Sequence, residues 1–459
     1  MFNVTLISTY DLGHQPFGLA SPAAWLVEAG AEVTCVDVSL RPFSPQTVQN
    51  ANLIAFYLPM HTATRLAVGL IKRVQRINPE AHICAYGLYA PVNEAYLRQL
   101  GVHTILGGEF EQGLVDLVTA LRDGAPLPSL PSVSLARQQF KRPSRTNLPP
   151  LTEYAYLDTP AGRRVVGYTE ATRGCKHLCR HCPIVPVYNG RFRIVQPDVV
   201  LADIRQQVAA GAQHITFGDP DFLNGPGHAL PLVQALHDEF PDLTYDVTIK
   251  VEHLQKQAEA LPVLRDTGCL FVVSAVEAVD DNILAILDKG HTRDDFVQVT
   301  QRMRQIGLPL TPTFVTFTPW TSLRGYADFL ALMAELDLVE AINPIQYAIR
   351  LLIPEGSRLL ELVEVRELVR PFDEAALVYP WSHPNPAVDA LYETVFKLVK
   401  ASQNAGELRQ GLSSQTLFRR IWQAVMDLLP AEERADWAER EPVLTQAVRA
   451  VPTLSEDWY

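Results

Sequence analysis

The chain has 459 residues, of which 47% are hydrophobic and 20% are charged. This is the composition of an ordinary globular protein with two or three domains. The net charge of −12 argues against broad non-specific binding to nucleic acid or to an anionic membrane. No run of 18 apolar residues occurs, so we expect no membrane-spanning helix, and the amino-terminal sequence predicts no secretory signal.

The first 124 residues alternate short apolar strands with helical segments. The predicted strands are Val4–Ser8, Val33–Asp37, Leu53–Tyr57, Ile83–Tyr86 and Thr104–Leu106. Strands that alternate with helices favour a doubly wound parallel sheet of the Rossmann type. Ligands of such sheets bind at the carboxyl ends of the strands, so we expect any ligand of this domain at that edge.

Residues 125–163 interrupt the alternation. Their composition, with many prolines and serines, is typical of an irregular connection, and we interpret the segment as a solvated linker. Between residues 125 and 151 the prolines are Pro126, Pro128, Pro131, Pro143, Pro149 and Pro150.

A second series of strands and helices covers residues 164–356, and residues 357–459 are predicted to be helical. The run Leu417–Leu429 is the clearest amphipathic helix of this last region. The candidate strands of the second series are Val165–Glu170, His214–Gly218, Leu243–Ile249, Leu270–Ala275, Leu310–Thr316 and Pro344–Ile349.

Three cysteines with the spacing C-x3-C-x2-C follow the first of these strands. One loop can place the thiolates of Cys175, Cys179 and Cys182 around a compact metal centre. An iron–sulfur cube usually takes four thiolates, and no fourth cysteine lies nearby, so one iron would remain open to a small molecule. A structural zinc bound by these cysteines with His177 or His181 is the alternative.

The cysteine segment, preceded by Thr172-Arg173-Gly174, resembles the signature of the radical S-adenosylmethionine (SAM) enzymes. The resemblance implies a partial (β/α)6 barrel over residues 164–356 and a [4Fe–4S] cluster whose open iron binds SAM. It also implies that SAM is cleaved to a 5′-deoxyadenosyl radical, with electrons from a flavodoxin- or ferredoxin-like donor. The sequence departs from the family at His181, where an aromatic residue is usual.

The same resemblance suggests which residues hold SAM. Gly218 and Asp219 occupy the place of the family's Gly-Gly-Glu segment, which meets the amino group of SAM. Ser274 and Glu277 resemble the segment that lies near its ribose and methionine parts. No residue is assigned a catalytic role, and the substrate, a small molecule or a peptide, is not specified by the sequence.

Residues 1–124 resemble the cobalamin-binding domains that precede many radical SAM barrels. Gly107-Gly108-Glu109 after the last predicted strand is typical of them, whereas the motif D-x-H-x-x-G is absent and His14 stands in only a stretched form of it. The resemblance therefore implies cobalamin bound without a histidine ligand, its nucleotide tail near Gly87 and Gly108, and methyl transfer as the reaction. The alternative is a vestigial domain that only packs on the barrel.

The six cysteines form no disulfide-type framework. Cys35, Cys84 and Cys269 lie in apolar strand-like runs, where small buried thiols are common. Reduced thiols together with an oxygen-sensitive cluster favour the cytoplasm. We expect no nucleic-acid partner and no membrane partner.

Overall fold

The structure is a computed structural model, and it describes residues 2–404, 414–438, 442, 444 and 452–455. It contains an amino-terminal parallel sheet, a curled half-barrel sheet, and helices that follow the half-barrel in the chain. The predicted α/β fold class, with these three parts in this order, is confirmed.

The amino-terminal sheet has six parallel strands in the order β2-β1-β3-β4-β5-β6. The five strands predicted from the sequence are all present. The strands are β1 (Phe2–Ser8), β2 (Ala31–Asp37), β3 (Leu53–Tyr57), β4 (His82–Tyr86), β5 (Thr104–Gly108) and β6 (Val133–Ser134). The helices are α1 (Phe17–Glu28), α2 (Gln46–Gln49), α3 (His61–Ile77), α4 (Tyr89–Val92), α5 (Glu94–Gln99) and α6 (Glu111–Asp123).

The proline-rich segment is a packed strap, so the expectation of a solvated linker is wrong. Its strand β6 extends the amino-terminal sheet, and Phe140 and Leu151 are buried in the core of the half-barrel. The buried Arg145 guanidinium bonds both carboxylate oxygens of Asp203 at 2.8 Å. Prolines remove backbone donors and end regular elements, but they do not prevent burial, so composition alone was misleading here.

The half-barrel sheet has seven strands in the order β14-β13-β12-β11-β8-β7-β15, and β7 and β15 pair antiparallel at one edge. Its strands are β7 (Tyr156–Thr159), β8 (Gly162–Thr169), β11 (His214–Phe217), β12 (Thr244–Thr248), β13 (Cys269–Glu277), β14 (Leu310–Phe314) and β15 (Thr453–Leu454), and a separate pair comprises β9 (Thr172–Gly174) and β10 (Phe192–Ile194). The helices are α7 (Val185–Tyr188), α8 (Pro197–Ala209), α9 (Pro226–Glu239), α10 (Val251–Lys256), α11 (Ala260–Asp266), α12 (Asp281–Leu287), α13 (Arg293–Ile306) and α14 (Leu323–Glu335).

The sixth predicted barrel strand does not form. Pro344–Tyr347 is a 3-10 helix, capped by the Asn343 side chain, which accepts a hydrogen bond from the Ile345 amide at 3.2 Å. The Gln346 side chain accepts a hydrogen bond from the Phe314 amide at 2.8 Å. The Gln346 side chain thus hydrogen-bonds to the backbone at the free edge of β14, where a sixth strand was expected.

The helices that follow pack on the outside of the half-barrel. They are α15 (Val363–Leu368), α16 (Pro386–Asn404), α17 (Ser414–Leu428) and α18 (Ala431–Ala438). The amphipathic run is confirmed as α17, which buries Leu417, Ile421 and Val425 at helical spacing. The other parts of the predicted helical region, at 405–413 and at most positions after 438, lie outside the described residues. Within the described part of the chain, no helix is long and apolar enough to cross a membrane.

Candidate functional site

The cysteine loop begins where the first parallel strand of the half-barrel ends. Strand β8 ends at Thr169, and β9 leads through Gly174 into Cys175. Gly174 has a φ of +77°, and a Cβ atom there would lie 2.3 Å from the Tyr188 ring, so only glycine allows this entry to the loop. The carboxyl ends of parallel barrel strands are where reactive groups of such folds gather.

The loop brings its three thiols together. All six cysteines of the chain are free thiols, and each of Cys175, Cys179 and Cys182 lies within electrostatic range of the other two. Burial raises the pKa of Cys182 to about 12, the two other thiols add to this rise, and the Lys289 ammonium opposes it. The site therefore favours thiols until a cation stabilises the thiolates, and this donor set fits an iron–sulfur cluster.

The carboxylate of Asp219, which was predicted to meet SAM, is held by hydrogen bonds from other residues of the protein. Its carboxylate accepts hydrogen bonds from the Thr172 hydroxyl at 2.5 Å and from the Ala171 amide at 2.9 Å. Burial raises the pKa of Asp219 to about 7, although these two hydrogen bonds act in the opposite direction. In the structure, Asp219 fixes the strand that leads into the cysteine loop.

Sequence reasoning missed Asp221, two residues further along. This carboxylate is buried, and its Oδ2 atom lies 2.6 Å from His253 Nδ1 and 3.5 Å from His177 Nε2. It lies beside the loop, since ligand atoms of Cys175, His177 and Asp221 are all within 4.8 Å of one another. The D-x-D pattern at the end of β11 was the available signal, but only the three-dimensional contacts separate the two carboxylates.

Glu277 ends β13 on the same side of the barrel. It has a φ of +71°, which is strained for a residue other than glycine. Its Oε1 atom lies 3.1 Å from His181 Nε2 and 3.3 Å from Lys289 Nζ. Burial opposes ionisation, yet the Lys289 ammonium and the His181 ring outweigh burial and lower the pKa of Glu277 to about 2. Glu277 thus links the cysteine loop to the buried Lys289.

The other two predicted SAM residues have contrasting surroundings. Ser274 is fully buried, and no described group hydrogen-bonds to its hydroxyl. Gly218 lies under the Tyr168 side chain, because a Cβ atom on Gly218 would fall 1.8 Å from the Tyr168 hydroxyl oxygen. The packing of Tyr168 alone therefore requires a glycine at 218.

A cavity of about 820 Å³ lies between the two sheets. It begins beside the cysteine loop, with Gly174 and Ile184 on either side, and runs into the half-barrel, where Thr216, Thr248 and Thr313 line it. The amino-terminal domain contributes residues at or after the carboxyl ends of its strands, among them Asp11, His14, Gly18, Tyr57, Gly87, Leu88, Gly108 and Phe110. A ligand at the carboxyl edge of that sheet would therefore face the barrel.

Gly87 and Gly108, which the resemblance places near a cobalamin tail, line this cavity. Both have positive φ, +105° and +69°. A Cβ atom would meet the Leu58 carbonyl oxygen at 2.9 Å and the Ser134 carbonyl oxygen at 2.2 Å, respectively. The backbone of the domain itself requires these glycines, so their presence is not by itself evidence for a ligand. His14 packs with its ring 5.1 Å from that of Tyr168.

The cavity wall is acidic. Asp11, Glu170, Asp246 and Glu340 line it, and burial raises the pKa of Asp11 to about 7 although His14 opposes that rise. Arg173 is the one arginine or lysine among the described residues that line the cavity.

Arg173 is already paired inside the protein. Its guanidinium lies 2.7 Å from Glu111, 2.7 Å from Glu170 and 3.3 Å from Glu109. Two of these carboxylates belong to the amino-terminal domain, so the ion pairs join that domain to the strand before the cysteine loop. Sequence reasoning missed this network, because the four residues come from distant segments of the chain.

Comparison with known proteins also points to an iron–sulfur cluster and SAM. Residues 169–322 match the model of the radical SAM superfamily, whose members use a [4Fe–4S] cluster and SAM. The chain is 22% identical over 201 residues to a tRNA-2-methylthio-N(6)-dimethylallyladenosine synthase of Moorella thermoacetica, covering 39% of this chain and 43% of that protein. It is 22% identical over 360 residues to a putative methylthiotransferase of Methanocaldococcus jannaschii, covering 72% and 78%.

Two solved structures share the fold. One is the radical SAM methyltransferase TsrM from Kitasatospora setae with tryptophan and a SAM analogue bound, with a TM-score of 0.62, 16% identity and coverage of 81% of this chain and 77% of that one. The other is the cobalamin-dependent SAM radical enzyme OxsB with aqua-cobalamin and SAM bound, with a TM-score of 0.66, 12% identity and coverage of 97% and 82%. Residues 169–322 therefore carry the match to the radical SAM superfamily, and the chain shares its fold with these two radical SAM enzymes.

Proposed function

We propose that this protein is a cobalamin-dependent radical SAM methyltransferase that acts on a small molecule. The observation that carries the proposal is the cavity of about 820 Å³ between the cysteine loop and the carboxyl edge of the amino-terminal sheet. One cavity is thus lined by Gly174, which precedes the first proposed cluster ligand, and by Gly87 and Gly108, which are proposed for cobalamin.

The roles of the residues follow from their contacts. Cys175, Cys179 and Cys182 would hold the cluster, and the buried Lys289 would offset the negative charge that their thiolates bring. Gly218, Asp219, Ser274 and Glu277 remain the proposed SAM residues. When bound, the cluster and SAM supply one-electron cleavage of a carbon–sulfur bond, and cobalamin supplies a methyl carrier. The protein positions the reactants and excludes water from the cavity.

The acidic wall supports a neutral or cationic small substrate. A polyphosphate chain is recognised by arginine and lysine side chains, whereas Arg173 already faces three carboxylates. A second candidate function is modification of tRNA, because tRNA-modifying synthases are among the curated relatives. Transfer of a methyl or methylthio group to total tRNA, with no requirement for a small molecule, would favour that candidate.

The cluster is tested first. We expect anaerobically purified wild-type protein to be brown and to contain about four iron and four sulfide ions per chain. The Cys179→Ala variant should be soluble but colourless, and it should not cleave SAM. Cys269→Ala, which changes a buried thiol of β13, is the control and should keep the chromophore. A Cys179→Ala variant that cleaves SAM at the wild-type rate would refute the assignment, and a colourless wild-type protein that contains zinc would favour a zinc-binding protein.

Cobalamin is tested on the same preparation. We expect one cobalamin per chain, and we expect His14→Ala to leave its absorption spectrum and affinity nearly unchanged, since His14 packs on Tyr168. A shifted spectrum would identify His14 as a cobalt ligand. A full cluster without any cobalamin binding would instead leave a cobalamin-independent radical SAM enzyme that catalyses rearrangement, oxidation or coupling.

A further inference from the structure

A buried lysine lies beside the cysteine loop. Lys289 follows α12, and its side chain is only 4% exposed. The backbone turns on both sides of it, because Asp288 and Gly290 have φ of +56° and +72°. A positive φ is uncommon for a residue other than glycine, and a Cβ atom on Gly290 would fall 2.8 Å from a carboxylate oxygen of Glu252. The backbone of this turn thus holds the lysine in the interior.

The turn is attached to the cysteine loop by hydrogen bonds. The Arg180 amide donates to the Leu287 carbonyl at 2.9 Å, and the Arg180 guanidinium donates to two further carbonyl oxygens at the end of α12, at 2.8 and 3.2 Å. Arg180 directly follows the proposed ligand Cys179, and Leu287 lies two positions before Lys289. These bonds therefore fix the position of the lysine relative to the loop.

The ammonium of Lys289 acts on the thiols of the loop. Burial raises the pKa of Cys182, and the Lys289 charge opposes that rise. Burial lowers the pKa of Lys289 itself, but the Glu277 carboxylate, and after it two thiols of the loop, outweigh burial and keep that pKa above its usual value. Lys289 therefore carries its positive charge although it is buried.

The carboxylate that pairs with Lys289 is Glu277. Its Oε1 atom lies 3.3 Å from Lys289 Nζ and 3.1 Å from His181 Nε2, and its side chain is 11% exposed. One cation and one anion thus lie together in the interior, next to the residue that precedes Cys182. Removal of either charge would leave the other without its partner, so the two charges can be changed separately and with opposite effect.

We propose that Lys289 and Glu277 set the reduction potential of the cluster, with Lys289 raising it and Glu277 lowering it. Reduction takes one electron from an external low-potential donor and adds one negative charge to the cluster, without the breaking of a bond. A buried cation stabilises that charge and a buried anion destabilises it, because the interior screens charges weakly. The net charge at a cluster is one of the properties that set its potential. The inference rests on the cluster of the proposed function, but not on cobalamin or methyl transfer.

The test is a reductive titration of the reconstituted holoenzyme with titanium(III) citrate, in the absence of SAM. The electron paramagnetic resonance signal of the reduced cluster measures the reduced fraction. We expect Lys289→Met to lower the equilibrium constant of reduction about tenfold, which is about 59 mV for one electron. Glu277→Gln should raise the same constant by a similar factor, and Lys289→Arg, which keeps the charge, should stay close to the wild type.

The matched control is Lys176→Met. Lys176 directly follows the proposed ligand Cys175, but its side chain is exposed. Water and salt screen an exposed charge, so this substitution should leave the potential nearly unchanged. Iron and sulfide are measured in every variant, and potentials are compared only between full clusters. If Lys289→Met assembles no cluster, Glu277→Gln and Lys289→Arg decide the matter.

Three results would overturn the inference. The first is a full cluster in Lys289→Met with the potential of the wild type. The second is an equal shift in Lys289→Met and Lys176→Met, because burial of the charge would then be irrelevant. The third is a shift of Glu277→Gln or of Lys289→Arg in the direction of Lys289→Met, which would indicate altered packing. Wild-type protein that assembles no cluster would refute the proposed function itself.

Discussion

Ser274 and Glu277 lie three positions apart on β13 and have opposite surroundings. Glu277 is held by His181 and Lys289, whereas the Ser274 hydroxyl is buried without a partner among the described residues. A buried hydroxyl that lacks a hydrogen bond costs about 1–3 kcal/mol. A ligand that bonds this hydroxyl would recover part of that cost, so Ser274 is the more informative of the two positions to change.

Ser274→Ala should therefore have effects of opposite sign on stability and on SAM affinity. The unloaded variant should be at least as stable as the wild type, by up to about 1 kcal/mol, because an unbonded hydroxyl is removed. Its SAM dissociation constant should rise about fivefold, the value of one lost hydrogen bond. Urea unfolding and equilibrium dialysis with SAM measure the two quantities.

The control for Ser274→Ala is Ser322→Ala. The Ser322 hydroxyl accepts a hydrogen bond from the Gly325 amide at 2.9 Å and caps α14. Loss of such a cap costs about 1 kcal/mol, and SAM affinity should not change. Unchanged SAM affinity in Ser274→Ala as well would remove Ser274 from the proposed SAM site.

The sequence predicted which residues form the cysteine loop, but it did not predict what the neighbouring charged residues contact. The cysteine loop was predictable, because its three ligands lie within eight positions and their spacing is local. The difference between Asp219 and Asp221 was not, since it depends on Thr172 and on two histidines from other elements. The role of Arg173 also depends on carboxylates more than 60 positions away, and no local pattern contains that information.

At the scale of elements, apolar runs predicted strands well and composition predicted the strap badly. Strands β1, β3, β4 and β5 have buried residues in continuous runs, which the sequence shows directly. The strap is held by Arg145, whose guanidinium also donates to Gln15 at 2.7 Å and to the Tyr168 carbonyl at 2.6 Å. These bonds span up to 130 positions, so only the fold reveals them.

Arg145→Met should destabilise the protein by about 3–5 kcal/mol, because Asp203 would remain buried without its cation. The exposed pair of Arg163 and Asp158, with side chains 61% and 55% exposed, offers the control. Arg163→Met should cost less than about 1 kcal/mol. Chemical denaturation measures both, and equal effects would show that the strap contributes little to stability.

At the scale of the molecule, the Arg173 network connects the two sheets. Glu109 and Glu111 follow β5, and the cation lies on β9, so one guanidinium spans the junction above the cavity. Burial raises the pKa of Glu109 to about 7, and the Arg173 charge opposes that rise. The network therefore depends on its one cation.

Arg173→Met should loosen the junction of the two sheets. The buried Glu109 and Glu111 and the partly buried Glu170 would lose their counter-ion, and we expect faster hydrogen exchange in α1, β5 and the start of α6 than in the wild type. Arg122→Met, in an exposed pair with Asp123, is the control and should leave exchange there unchanged. Exchange that rises equally throughout the half-barrel would instead indicate general destabilisation.

Strand β15 has a consequence for the order in which the protein is made. Residues Pro452, Leu454 and Ser455 line the cavity, and Ser455 bonds the backbone of Tyr156 in both directions at 2.9 Å. Most residues of the cavity wall, from Asp11 to Gln346, are synthesised about 100 residues or more before Pro452, Leu454 and Ser455. A nascent chain can thus have folded sheets and a formed cysteine loop while one side of the cavity is still missing. The wall of the cavity is complete only after residue 455 has emerged from the ribosome.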